Sequence, residues 1–119
     1  MPTATCHCGT VCIEVPGRPR QLTDCNCSIC RRYGALWAYF KVSAARIACP
    51  PRELSHYSWG DESLRFFRCK TCGCITHWLP VKLARAARMG VNARHFEPRD
   101  IATARIRRLD GADTWKYSD

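Results

Sequence analysis

No run of apolar residues in this chain approaches the ~20 that a membrane-spanning helix requires, so a helical span is excluded. The opening residues, Met1-Pro2-Thr3-Ala4-Thr5, carry no apolar stretch of the kind that begins a secretory signal. Internal repeats, low-complexity segments and linkers are missing, and the expectation is one domain over residues 1–119. Helical periodicity is scarce too, confined to Leu83-Ala84-Arg85-Ala86-Ala87-Arg88 within residues 82–89. Acidic residues are few, with 10 Asp and Glu against 19 Lys and Arg and a formal net charge of +9. That balance raises nucleic acid or acidic small molecules as partners. The basic residues are scattered in ones and twos, however, and none forms a dense run.

What the chain has in quantity is cysteine, ten in all. Without an export signal the expected location is the reducing cytoplasm, where clustered thiols serve as metal ligands rather than disulfides. A domain of this length also sits near the size at which a metal cross-link helps the fold. Seven metal-bound thiolates against two Zn²⁺ would lower the positive charge by about three.

Cys6 and Cys8 pair naturally with Cys69 and Cys72, since C-x-C and C-x-x-C-G together supply four thiolates. Four is the closed set of a structural zinc. Residues 5–15 read as a strand broken at Gly9, in which Cys6 and Cys8 share a side and His7 faces away. Cys69-Lys70-Thr71-Cys72-Gly73 has the form of a zinc knuckle, with glycine taking the positive-φ bend. Closing a loop of about sixty residues is the case in which a cross-link helps most.

Cys25-Asn26-Cys27-Ser28-Ile29-Cys30 is a different object, three thiols in six residues. Three protein ligands leave a position open, the pattern of a catalytic zinc. An open position suits a reaction between a thiol and an aldehyde. Two other readings stand beside it: a second structural zinc completed by Asp24, Cys74 or His77, and a redox pair.

The remaining sequence is mostly short alternating segments, giving a mainly β fold with one or two helical turns. Residues 18–23 read as an edge strand because of Pro19. A helical turn follows from Cys30 to Tyr33 and ends at Gly34. Residues 35–40, 54–59, 64–67 and 74–79 read as strands, as do residues 101–109. Asp110-Gly111 then predicts a terminal hairpin with residues 114–117. Trp37 and Phe40 are core candidates, while Tyr33 and Tyr39 are candidates to line a pocket. Cys49 and Cys74 read as core residues, and Cys12 has no assigned role.

Taken in order, Cys6-His7-Cys8-Gly9, Cys25-Asn26-Cys27-Ser28-Ile29-Cys30-Arg31 and Phe67-Arg68-Cys69-Lys70-Thr71-Cys72-Gly73 resemble the motifs of the glutathione-dependent formaldehyde-activating enzyme family, which includes centromere protein V. The resemblance implies a β-tent fold of small coiled sheets and two zinc ions. A structural zinc would lie at Cys6, Cys8, Cys69 and Cys72, and a catalytic one at Cys25, Cys27 and Cys30. It also implies a carbon–sulfur lyase-like activity on a small-molecule thiol, glutathione in the namesake, and an aldehyde. Gly90-Val91-Asn92-Ala93-Arg94 stands where family members often carry a Gly-Thr-Leu-Asp-like stretch, and Asn92 and Arg94 are candidates to hold a substrate carboxylate. The alternative is a non-catalytic zinc module that binds nucleic acid or protein through its basic surface.

Overall fold

The turn at Gly9 divides the first residues into two short strands instead of one, and Pro16-Gly17 follows the second. In a computed structural model, which describes residues 1–118, Thr3–Thr5 (β1) and Cys12–Glu14 (β2) pair antiparallel. Cys6-His7-Cys8-Gly9 is therefore the turn of a hairpin and not an extended segment. Gly9 takes φ +85°, open to a residue without a Cβ. Arg46–Ala48 (β5) adds to the far side of β2 and completes a three-stranded sheet.

The larger sheet has seven strands. They are Gln21–Cys25 (β3), Trp37–Lys41 (β4), Leu54–Tyr57 (β6), Leu64–Cys69 (β7), Ile75–Pro80 (β8), Arg88–Asn92 (β9) and Arg105–Leu109 (β10). Their order is β10-β3-β4-β9-β8-β7-β6. Every neighbouring pair is antiparallel except β10 and β3, which run parallel from Arg105↔Gln21 to Leu109↔Cys25. The fold is mainly β, with two short helices, Ser28–Tyr33 (α1) and Pro98–Ile101 (α2). Among the described residues no helix is long and apolar enough to cross a membrane.

Four further sequence expectations are corrected. Residues 82–89 do not form a helix: residues 82–87 are irregular, with a bend at Lys82 and a turn at Arg85 and Ala86, and Arg88 and Met89 begin β9. Strand pairing and burial of Met89 and Val91 outweigh the helix propensity of the preceding alanines and arginines. Residues 18–23 are not an edge strand, because Pro19 precedes β3 and β3 lies between β10 and β4. Residues 101–109 split, since Pro98 begins α2 and the strand starts only at Arg105. The hairpin after Asp110-Gly111 shrinks to a single bridge, Leu109↔Tyr117, because β10 takes β3 as its main partner.

Alternation along the strands divides the buried side chains between two faces of the large sheet. One face, through Leu22, Ala38, Met89 and Val91, meets Ile13 and Ala4 from the small sheet. The other gathers Trp37 and Phe66 with Cys25, Cys27 and Cys30. Gly90 faces that second side between Met89 and Val91. A Cβ there would collide with the Trp78 indole. Its absence lets Tyr39 and Trp78, the two cross-strand partners of Gly90, meet over β9 with ring centroids 6.0 Å apart.

Candidate metal centres

The first cysteine set is assembled from two turns. Cys6 and Cys8 come from the β1–β2 turn, Cys69 ends β7, and Cys72 lies in the turn that follows. Their four sulfurs lie within 4.8 Å of one another. Cys6 and Cys8 are 3.7 Å apart and Cys8 and Cys69 3.6 Å. A tetrahedron of sulfurs at ~2.3 Å from a zinc ion has edges of about 3.8 Å, so the donor set fits. The turn geometry supports it, because Gly73 takes φ +77° and donates its N–H to Cys69 O at 2.9 Å. Val11 N–H donates to Cys6 Sγ at 3.2 Å. Burial pushes the Cys6 thiol up to about 11 despite that bond, a cost that a bound cation removes. His7 is exposed and outside the set, and Cys74 is half-buried against the first core.

The second set has three members. Cys25 ends β3, Cys27 is the N-cap of α1 and Cys30 lies inside that helix. All three are buried, and their sulfurs lie within 4.8 Å of one another. Cys27 Sγ accepts from the Cys30 N–H at 3.4 Å, so one atom both caps the helix and joins the cluster. Gly34, at φ +63°, ends the helix by donating to Cys30 O at 3.0 Å. The Trp37 indole N–H donates to Cys30 Sγ at 3.3 Å. The hydrogen bond with Cys30 holds the Cys25 thiol down to about 6, and the same contact pushes Cys30 up. Neighbouring thiols cannot all ionise alone, whereas three thiolates around a divalent cation can.

Among the described residues no fourth His, Cys, Asp or Glu joins this set. Asp24 is exposed and lines a smaller hollow of about 400 Å³. His77 is buried, its ring stacked on Phe67 at 4.9 Å and its Nδ1 paired with Thr76 Oγ1 at 2.8 Å. Cys74 packs with the other core. The three thiols instead form the floor of a cavity of about 710 Å³. Trp37, Tyr39, Phe66 and Trp78 wall it, and the exposed Trp59 and Trp115 stand at its edge. None of the four cysteines of the first set lines it.

The expected contacts Asn92, Arg94 and Tyr33 do not line this cavity. Asn92 is buried and its amide is used on backbone. Its Oδ1 accepts from Leu36 N at 3.4 Å and Arg94 N at 3.2 Å, and its Nδ2 donates to Ile75 O at 2.9 Å. Arg94 Nε donates to Gly34 O at 2.7 Å, bracing the end of α1 from the side of the smaller hollow. Tyr33 packs on Phe66 with ring centroids 5.8 Å apart.

Sequence reasoning missed Asn26 and Gly111. Asn26 Nδ2 donates to Asp110 Oδ1 at 3.0 Å, and its Oδ1 accepts from Ala112 N at 2.9 Å. These bonds hold the turn after β10 against the three-thiol loop. A Cβ on Gly111 would collide with Cys25 Sγ, so the glycine is there for close approach and not only for the turn. Gly111→Ala is accordingly expected to weaken metal retention at the three-thiol site at least tenfold, with the four-thiol site unaffected. Timed zinc release to a chelator measures both, and an unchanged fast phase would refute the prediction.

A model of the glutathione-dependent formaldehyde-activating enzyme family matches residues 1–106. Among solved structures, a crystal structure of a Rhodobacter sphaeroides protein superposes with a TM-score of 0.70 at 32% sequence identity. That match covers 87% of this chain and 98% of the other. With both cysteine sets in place, the chain belongs to the glutathione-dependent formaldehyde-activating enzyme family.

Proposed function

We propose that this protein is a zinc-dependent enzyme, located in the cytoplasm, that forms or cleaves the carbon–sulfur bond between a thiol and an aldehyde. The observation that carries the reading is the three-thiol cluster at the floor of a cavity, with no fourth side-chain ligand among the described residues. The family name puts glutathione and formaldehyde first as the pair. In the forward direction the thiol S–H adds across the carbonyl. A C–S bond forms, the C=O π bond breaks, and the thiol proton ends on the former carbonyl oxygen. The lyase direction reverses each change.

Cys25, Cys27 and Cys30 would hold the catalytic ion, and Cys6, Cys8, Cys69 and Cys72 the structural one. The catalytic ion, when bound, supplies positive charge beside an open position, which acidifies a thiol and polarises a carbonyl. Trp37 fixes the Cys30 sulfur through its indole N–H, and Gly111 leaves room for the Cys25 sulfur. The Tyr39 phenol lines the cavity and, like any tyrosine, is protonated at neutral pH; burial pushes it further up, to about 12. We assign that phenol as the hydrogen-bond donor to the carbonyl oxygen. The aromatic wall offers few polar partners to water beside the three thiols.

The test is the rate at which glutathione and formaldehyde reach equilibrium with their adduct, followed by magnetisation-exchange NMR. Metal-replete protein should carry two zinc ions per chain and accelerate exchange, and stripping the more labile ion should abolish the acceleration. Replete protein that leaves exchange of glutathione with every aldehyde tried at the uncatalysed rate would overturn the reading.

A further inference from the structure

Granting the carbon–sulfur chemistry proposed for the three-thiol site, we propose that it prefers a carbonyl substrate carrying an aromatic-sized apolar body over formaldehyde. Volume alone does not choose the aldehyde: glutathione with formaldehyde, at roughly the volume of a water molecule per heavy atom, would take about 660 Å³. The cavity holds about 710 Å³, so the inference rests on what lines the space.

The distribution of polarity says which reactant the space serves. Next to the three cysteines the wall is Trp37 and Phe66, 1% and 5% exposed, with Trp78 beside them. Arg88, Asp61 and Ser63 are the charged or hydroxyl-bearing side chains of the wall apart from Tyr39, and all three are exposed. Glutathione brings two carboxylates, an ammonium group and two amides, which need polar partners when buried. Those partners stand at the solvent-exposed part of the wall, where Arg88 can meet a carboxylate. The reacting carbon must lie near the cysteines, so the group attached to it meets aromatic rings.

Two exposed tryptophans stand at the mouth. Trp59 and Trp115 are 45% and 69% exposed, and both face this cavity. Large rings left in water cost the folded chain their burial, which an apolar ligand restores. Trp115 also holds φ +60°, a region a non-glycine residue occupies at a cost, fixed by its N–H to Asp110 O at 2.7 Å. The β6–β7 loop repeats the pattern, with Glu62 at φ +57° shortly after Trp59. Strain is thus spent in both loops that bring tryptophan to the mouth.

The experiment compares two inert thioethers on metal-replete protein, S-methylglutathione for the formaldehyde adduct and S-benzylglutathione for an aromatic one. Binding is read by quenching of tryptophan fluorescence, independently of turnover, and glutathione exchange is assayed with formaldehyde and with phenylacetaldehyde. We expect S-benzylglutathione to bind at least tenfold tighter and phenylacetaldehyde to show the higher kcat/KM. In Trp59→Ala and Trp115→Ala, both at exposed positions, the benzyl preference should shrink at least threefold. Equal affinities, or a preference untouched by both variants, would overturn the inference, and exchange of formaldehyde alone would do so while leaving the carbon–sulfur reading intact. Failure of both thioethers to bind, with no exchange of either aldehyde, would remove both.

Discussion

Cys69→Ser is expected to unfold the protein. Cys69 is completely buried at the end of β7, and its sulfur lies 3.6 Å from Cys8, 61 residues away in sequence. It therefore joins the small sheet to the large one at the point where the ion would sit. Structural zinc sites contribute about 10–16 kcal/mol in apparent binding free energy. A whole domain of ordinary stability has only about 5–15 kcal/mol in total. Serine offers a poor ligand and leaves a buried hydroxyl where a thiolate was. The measurable outcome is loss of the native far-UV circular dichroism and of both metal ions. A folded variant that still holds one ion would show that the staple is dispensable.

Cys27→Ser should behave in the opposite way, although it too removes a clustered thiol. Cys27 is the N-cap of α1, and serine is among the better caps, so α1 keeps its first hydrogen bond. The four-thiol site is untouched. We expect native circular dichroism, a fall from two zinc ions to one, and a loss of thiol–aldehyde exchange on the order of 10³-fold, about 4 kcal/mol. If instead this variant unfolds and sheds both ions, the division of the cysteines into a staple and a working site is wrong. The two serine variants together separate stability from chemistry, because one change is made at each site.

Much of this arrangement was legible in the sequence because thiol spacing is local information. Cys25, Cys27 and Cys30 fall together for any chain that turns at Asn26 and starts a helix at Ser28, and Gly34 marks where that helix stops. The C-x-x-C-G knuckle carries its own bend at Gly73. Cys6 and Cys8 were read as an extended pair, whereas they sit in a hairpin turn; both geometries bring the sulfurs together, so the error left the set intact. What could not be read was long-range. Residues 82–87 have helix-forming composition, and only the pairing of Met89 with Phe40 and the seat of the Trp78 indole against Gly90 draw the next residues into β9. Gly111 looked like an ordinary turn glycine, because nothing local says that Cys25 lies against it. Nothing local says either that Leu36 and Ile75 take the Asn92 amide or that Gly34 takes Arg94 Nε.

The parallel pairing of β10 with β3 has a consequence for the order in which a ribosome finishes this molecule. All four staple cysteines have been synthesised once Cys72 is added. The three-thiol loop is made early as well, but the turn that packs on Cys25 and the tryptophan at the cavity mouth arrive only with Gly111 and Trp115. At ~5–20 residues per second the interval from Cys72 to Trp115 lasts roughly 2–9 s. For those seconds the three-thiol loop lacks its final cover, because the residues that close over Cys25 are not yet made. Closure of the three-thiol site thus waits on β10 and the turn behind it, whereas the four cysteines of the other set are all encoded well before them.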